Sequence, residues 1–320
     1  MSSPGGPQAA DTRRYLAGRY RLDEVLGRGA TGTVWAAYDE MLRRRVAVKE
    51  VPPPPGMPAA EANALRERTL REARAIAVLS HPNVVTLFDV VQQDGEPYVV
   101  MELFPAISLA ALVGEQGPLD VAGAALVGAA VASALQAAHE AGITHRDVKP
   151  GNVLIGTGPA AGRIKLTDFG IARNVAEATL TETGMTLGSP AFIAPEVGSG
   201  GQVSPAADLW GLGATLFAAL EGRPPYDGGD PLSTVAAVVN EEPPPPTSAG
   251  PLATVVTGLM VKDPARRLPL AEVQRLVRPL IPPDGRIRAP STGLLSTGLP
   301  PAGQVPDGPA GAPDAVATDV

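Results

Sequence analysis

The spacing of apolar residues changes character once along the 320-residue chain, near residue 103, and this restricts the fold more than any other feature. Before that point the pattern is mostly that of strands. Tyr20 to Gly27, Thr33 to Asp39 and Arg45 to Val51 are rich in β-branched and aromatic residues and are bounded by glycine turns or by the proline run Pro52–Pro55, which are strand signals. Val84 to Val91 and Tyr98 to Glu102 are two further strand candidates. The one helical interruption is Glu61 to Leu79, a charged segment with Leu65, Leu70 and Ala73 on one face. From Leu109 the chain becomes mostly helical. A long Ala-rich helix ends near Gly142, and Asp208 to Leu220 and Ala271 to Val277 are helical again. Short strands are expected at Val153–Ile155 and Ile164–Thr167, and Pro243–Pro246 reads as a loop. Strands grouped ahead of helices make this an α+β chain.

The ends and the composition narrow the function classes. Residues 1–17 read as a disordered leader, and Met1–Arg14 has no apolar stretch of the kind a secretory signal needs. Residues 283–320 are Pro/Gly-rich and without period, so a disordered tail is expected, with Ser291, Thr292, Ser296 and Thr297 as exposed hydroxyls. Val121 to Ala138 is 18 residues long and nearly free of charge. It is built mainly from alanine and glycine, so a buried helix is expected there rather than a membrane span. The chain has no cysteine, which excludes disulfides, thiolate catalysis and Cys-ligated zinc. His81, His139 and His145 form no metal-binding pair by spacing. A net charge of −7 argues against a protein that neutralises nucleic-acid phosphates.

Four motifs carry chemistry. Gly27-Arg-Gly29-Ala-Thr-Gly32-Thr-Val34 is a glycine loop between two expected strands. Glycines let backbone N–H groups approach phosphates closely. A strand followed by a helix would suggest a dinucleotide fold instead, but the residues after Gly32 are strand-like. Val46-Ala47-Val48-Lys49 puts a lysine in an apolar strand. Such a lysine is either an exposed edge residue or a buried cation needing a partner, and Glu72 in the following helix is a candidate. His145-Arg146-Asp147-Val148-Lys149-Pro150-Gly151-Asn152 is the strongest signal, and Asp168-Phe169-Gly170 follows Asn152 after 16 residues. Asp147 suits a base that orients a hydroxyl and takes its proton, and Lys149 suits a cation at a transferring phosphate. Asn152 and Asp168 supply hard oxygens for Mg²⁺, with Mn²⁺ as an alternative.

These motifs run in the order glycine loop, Lys49, Glu72, HRD, DFG and Ala194-Pro195-Glu196. In that order they resemble the protein kinase family, and most closely the eukaryotic-like Ser/Thr kinases of actinobacteria. The resemblance covers roughly residues 16–280. It implies a bilobal α+β fold over residues 18–282: a small β-rich lobe over about 18–102 with one regulatory helix, and a larger helical lobe over about 103–282. It implies ATP as cofactor, bound by Leu26, Gly27, Gly29, Gly32, Val34, Ala47, Lys49, Met101, Glu102, Leu103 and Leu154. Met101 would be the gatekeeper, and Glu102 and Leu103 the hinge. Asp147, Lys149, Lys49 and Glu72 would be catalytic, and Asn152 and Asp168 would hold the metal. Ile76, Leu87, His145 and Phe169 would stack as a regulatory spine. Asp208 would anchor the catalytic loop, and Arg267 would pair with Glu196.

The resemblance further implies protein substrates carrying Ser or Thr, because the loop after Asp147 and Gly188-Ser189 are of the Ser/Thr type. It implies phosphorylation at Thr181 and Thr183, facing Arg68, Arg146 and Arg173, and a kinase homodimer for trans-autophosphorylation. No nucleic-acid partner and no membrane span are expected, and a cytoplasmic location follows. A catalytically silent scaffold would have lost Lys49, Asp147 or Asp168, and all three are present. A small-molecule phosphotransferase would generally lack the Ala-Pro-Glu segment. The Phe104-Pro105-Ala106 continuation of the hinge departs from the family's usual polar turn.

Overall fold

A computed structural model of the chain describes residues 14–29, 32–53, 56–170, 189–283 and 285–287. The N-terminal lobe is a six-stranded antiparallel sheet. Its strands are β1 (Tyr15–Leu16), β2 (Tyr20–Gly29), β3 (Gly32–Asp39), β4 (Arg44–Glu50), β5 (Leu87–Gln93) and β6 (Glu96–Glu102), in the order β1-β2-β3-β4-β6-β5. Side chains alternate across such strands. Val46, Val48, Val100 and Tyr98 therefore face one side, where they form a core cluster with Leu16, Tyr20, Leu22 and Ala37. Ala47, Lys49, Val99 and Met101 fall on the other side, paired Ala47 with Met101 and Lys49 with Val99.

That outer cluster corrects the expected leader. Residues 14–17 belong to the fold: Tyr15 pairs with Arg21, Leu16 is fully buried, and the Arg14 guanidinium donates to the Tyr98 hydroxyl at 3.2 Å. Two residues of β1 were too short to carry a visible period. The helix α1 (Ala59–Ile76) packs on β5 and β6 and buries Ala62, Thr69, Ala73 and Ile76. It therefore starts two residues earlier and ends three earlier than its apolar pattern suggests.

The C-terminal lobe begins with α2 (Leu109–Gln116) and α3 (Val121–Glu140), each capped by a side chain, Ser108 and Asp120. The helix α3 is long and apolar enough to cross a membrane. Ala124, Val127, Val131 and Leu135 are among its buried residues, and its neighbours are α5 and α8 below. An apolar helix covered on several sides is what a large core contains. Three short strands, β7 (Ala106–Ser108), β8 (Val153–Gly156) and β9 (Ile164–Leu166), form a second sheet in that order. The remaining helices are α4 (Pro195–Gly198), α5 (Pro205–Glu221), α6 (Pro231–Asn240), α7 (Ala253–Leu259) and α8 (Leu270–Val277). The expected boundary at 282 is also early, because Ile287 packs back on the core beside Gly123.

Candidate active site

The site is assembled around Asp208, a carboxylate 1% exposed on α5. Its Oδ2 accepts from the His145 backbone N–H at 2.8 Å and lies 2.7 Å from His139 Nε2, and its Oδ1 accepts from the Arg146 N–H at 2.7 Å. An ionised carboxylate can only accept, so His139 meets it with an N–H. These bonds hold Arg146 at φ 69°, a left-handed conformation that a non-glycine residue adopts only when its surroundings enforce it. Gly211, one turn further along α5, leaves room for the same loop: a Cβ there would lie 2.8 Å from the Val148 carbonyl oxygen.

His145 is wholly buried. Its Nδ1 accepts from the Asp147 N–H at 3.2 Å, so Nε2 carries the proton that meets the Thr167 carbonyl at 2.9 Å. Burial pushes its imidazole below the usual histidine range and keeps it neutral. Its ring lies 4.4 Å from that of Phe169. Ile76, Leu87 and Phe169 all belong to one core cluster, so the expected spine residues share one apolar interior.

The resulting loop presents Asp147. Lys149 Nζ lies 2.7 Å from Asp147 Oδ2, and Asn152 Nδ2 donates to the same oxygen at 2.9 Å and to the Asp147 carbonyl at 2.7 Å. With the Asn152 amide nitrogen committed there, its carbonyl oxygen is left for another role. The turn after β9 carries Asp168, also left-handed at φ 59°. Asn152 and Asp168 are tied together by the Thr167 N–H donating to the Asn152 backbone carbonyl at 2.9 Å, which leaves the side-chain oxygen of Asn152 untouched.

One expected pairing is different. Lys49 Nζ is bound to Asp168 Oδ1 at 2.8 Å, and Glu72 lies 3.6 Å from Arg146 NH1. The expected Lys49–Glu72 pair is not formed. Lys49 is only 8% exposed and must hold an anion, and Asp168 is the carboxylate within reach. Glu72 is instead beside the guanidinium that the Asp208-bound loop projects.

The cleft roof and floor place the other expected residues. Val34 is the register partner of both Gly27 and Lys49, and Leu154 that of Ser108, the last residue of β7. Gly27 and Gly29 are exposed, as is Leu26 at 51%. Gly32 at φ 119° has no alternative, since a Cβ there would fall 1.9 Å from the Glu50 carbonyl oxygen. Met101 sits on the cleft side and Glu102 ends β6. The Glu102 side chain leaves the cleft for Lys165 at 2.8 Å, a partner that the apolar Ile-Lys-Leu strand did not announce. Arg267, 4% exposed, grips Glu196 through two bonds of 2.7 and 2.6 Å. Thr181, Thr183 and Arg173 lie outside the described residues.

The arrangement is an acidic group oriented by a lysine and an asparagine, beside a second carboxylate with a buried lysine, under a glycine-edged sheet. A family model for the protein kinase domain matches residues 20–276. The chain belongs to the protein kinase family. It is 36% identical over 299 residues to the serine/threonine-protein kinase PknA of Mycobacterium tuberculosis, covering 90% of this chain and 68% of the relative. It is 35% identical over 337 residues to PksC of Streptomyces coelicolor, covering 97% and 59%. It is 37% identical over 267 residues to the probable kinase PknB of Corynebacterium glutamicum, covering 79% of this chain and 40% of that relative. A crystal structure of a double mutant of the Mycobacterium tuberculosis PknI kinase domain matches with a TM-score of 0.66 and 26% identity. That match covers 85% of this chain and 98% of that one. The chain is accordingly a serine/threonine protein kinase of the bacterial, eukaryotic-like type. It acts on protein substrates and uses ATP with a divalent metal ion.

Proposed function

We propose that Asp147 is the group that accepts the proton of the substrate hydroxyl, and that Mg²⁺ is the working ion, held by Asp168 and Asn152. The observation that carries this is the Asp147 carboxylate, with one oxygen shared by Lys149 Nζ and Asn152 Nδ2. Both partners donate, so one Asp147 oxygen is fixed and the carboxylate is held in one orientation, as a base must be. Asp168 and the free carbonyl oxygen of Asn152 offer hard donors from adjacent loops. No cluster of three His, Cys, Asp or Glu occurs among the described residues. That set suits Mg²⁺, which takes one or two protein ligands and completes its shell with phosphate and water.

Bound Mg-ATP supplies the phosphoryl group and the positive charge that screens it. Lys49 neutralises the non-transferred phosphates, and Lys149 the phosphoryl group in transit. Asp147 would orient the Ser or Thr oxygen in line and take its proton as the new O–P bond forms and the bond from the γ-phosphorus to the bridging oxygen breaks, with ADP as the leaving group. Incubation with Mg-ATP and a generic basic protein tests the assignment. Asp147→Asn is expected to lower kcat by about 10²–10⁴-fold, and near-normal turnover would overturn it.

The same reading extends to regulation. Phosphates on Thr181 and Thr183 would add about −1.5 to −2 charges each. They would draw Arg68, Arg146 and Arg173 together. Arg146 now lies 3.6 Å from Glu72, so its capture would draw that guanidinium away from the helix that carries Glu72. Two copies of the chain would carry out this reaction in trans, in the cytoplasm. Mass spectrometry after Mg-ATP treatment tests it: a segment without phosphate, or full activity in a Thr181/Thr183 double alanine variant, refutes it.

A further inference from the structure

Lys165 is a buried lysine that phosphoryl transfer does not use. It lies in the middle of β9, 3% exposed and three residues before Asp168. A lysine at that depth persists only with partners for its charge. Its Nζ donates to Glu102 Oε2 and to the Val84 carbonyl, both at 2.8 Å, and the Phe104 ring centroid is 5.7 Å away. One ammonium therefore joins β9 to the segment before β5 and to the end of β6.

The two links are not equivalent. On the Val84 side the backbone already holds the segments together. The Leu166 N–H donates to the Asn83 carbonyl at 2.8 Å, the Val85 N–H to the Leu166 carbonyl at 3.0 Å, and Asn83 Nδ2 to the Ile164 carbonyl at 2.9 Å. Among the described residues, β6 is joined to β9 and its flanks through side chains. Lys165 binds Glu102 Oε2, while Arg163 NH2 stands 3.6 Å from Glu102 Oε1. The Glu102 N–H donates to the Thr86 carbonyl at 2.8 Å. Lys165 is also the register partner of Leu154 on β8.

We propose that Lys165 is a positioning residue for nucleotide binding. By gripping Glu102 it sets the hinge backbone at a fixed distance from Leu154 and from the turn that presents Asp168. Burying the Lys165 charge and partly covering that of Glu102 costs desolvation energy that two apolar side chains would avoid. What the pair supplies is therefore a defined geometry rather than stability. The proposal rests on the nucleotide site assigned above.

The experiment compares Lys165→Met, Lys165→Arg and Glu102→Gln in the full chain. It measures the Kd for Mg-ADP, the KM for ATP and for a protein substrate, kcat and the thermal midpoint. Lys165→Met is expected to raise the Mg-ADP Kd and the ATP KM together by about tenfold, inside the roughly 5–150-fold span of site-to-site couplings. The protein-substrate KM should hold, and kcat should fall less than the ATP KM rises. Lys165→Arg keeps the charge and should recover most of the affinity. If Lys165→Met fails to fold, Glu102→Gln takes its place with the same expected direction. An unchanged Kd in whichever variant folds overturns the proposal. So does a parallel loss of every parameter that Lys165→Arg does not restore, because that is a folding defect. Mg-ADP affinity needs no phosphoryl transfer. A wild-type chain that binds Mg-ADP but transfers nothing would count against the Asp147 assignment and leave this test intact.

Discussion

Asp208→Asn changes one atom type in a carboxylate that faces three donors. In the native site Oδ2 serves the His145 N–H and His139 Nε2, and Oδ1 serves the Arg146 N–H. Asparagine has one acceptor oxygen and one donor nitrogen. Its better orientation keeps the oxygen at the Oδ2 position and turns the NH₂ group against the Arg146 N–H. The reverse orientation opposes two donors at once. In the better case one bond to a charged group is lost, worth about 1.5–3 kcal/mol, and a buried donor is left unsatisfied. A loss near 3 kcal/mol, at about 2–4 °C per kcal/mol in a domain of this size, lowers the thermal midpoint by about 6–12 °C. Released from that bond, Arg146 can relax from φ 69° and carry Asp147 with it. A displacement of about 1 Å costs on the order of 10²-fold in kcat. The assay pairs thermal unfolding with steady-state phosphotransfer at saturating ATP. A midpoint within about 1 °C of wild type, far short of the expected drop, together with wild-type kcat, would refute the anchoring argument.

Two further outcomes follow from contacts within the fold. The Arg19 guanidinium holds the buried Asp39 carboxyl below its ordinary range, through bonds of 2.8 and 2.7 Å. The unfolded chain then takes up the proton first, so this contribution is complete above pH of about 3.9 and is lost as pH falls through the folded value. Arg19→Met should destabilise the chain by about 2 kcal/mol at neutral pH and flatten that acid limb, and a pH-stability profile with an unchanged limb would refute it. A chain ending at Pro283 removes Ile287 from the core. It should unfold about 2–4 °C below one ending at Pro290, since a partly buried side chain contributes about 1 kcal/mol; equal midpoints would show the contact to be idle.

Much of this was legible in the chain itself. The alternation in Val46-Ala47-Val48-Lys49 set Ala47 and Lys49 on the face opposite Val46 and Val48, since period 2 is a local property of extended backbone, and the fold decided that the lysine's face is buried as well. The octapeptide from His145 to Asn152 contained Asp147 and both side chains that now orient it, because all three lie within one loop. The glycines at 27, 29 and 32 were equally local, and the clash that makes Gly32 obligatory comes from the neighbouring strand.

Contacts between segments far apart in sequence were decided only when the chain folded. Leu16 gained a place because the outer face of a sheet needed covering, and Ile287 because α3 left a space at Gly123. Lys49 had two carboxylates to choose between, 23 and 119 residues away, and proximity in three dimensions selected Asp168. Lys165 resembled an ordinary strand lysine until Glu102 and Val84 closed around it. The sequence by itself carried the motifs of the family, most of the longer strands and helices, and the loop that bears Asp147, since each motif and element depends on neighbours within a few residues. The tertiary structure alone decided which charges meet, because Coulomb attraction and desolvation depend on distance and burial, and neither is a property of position along the chain.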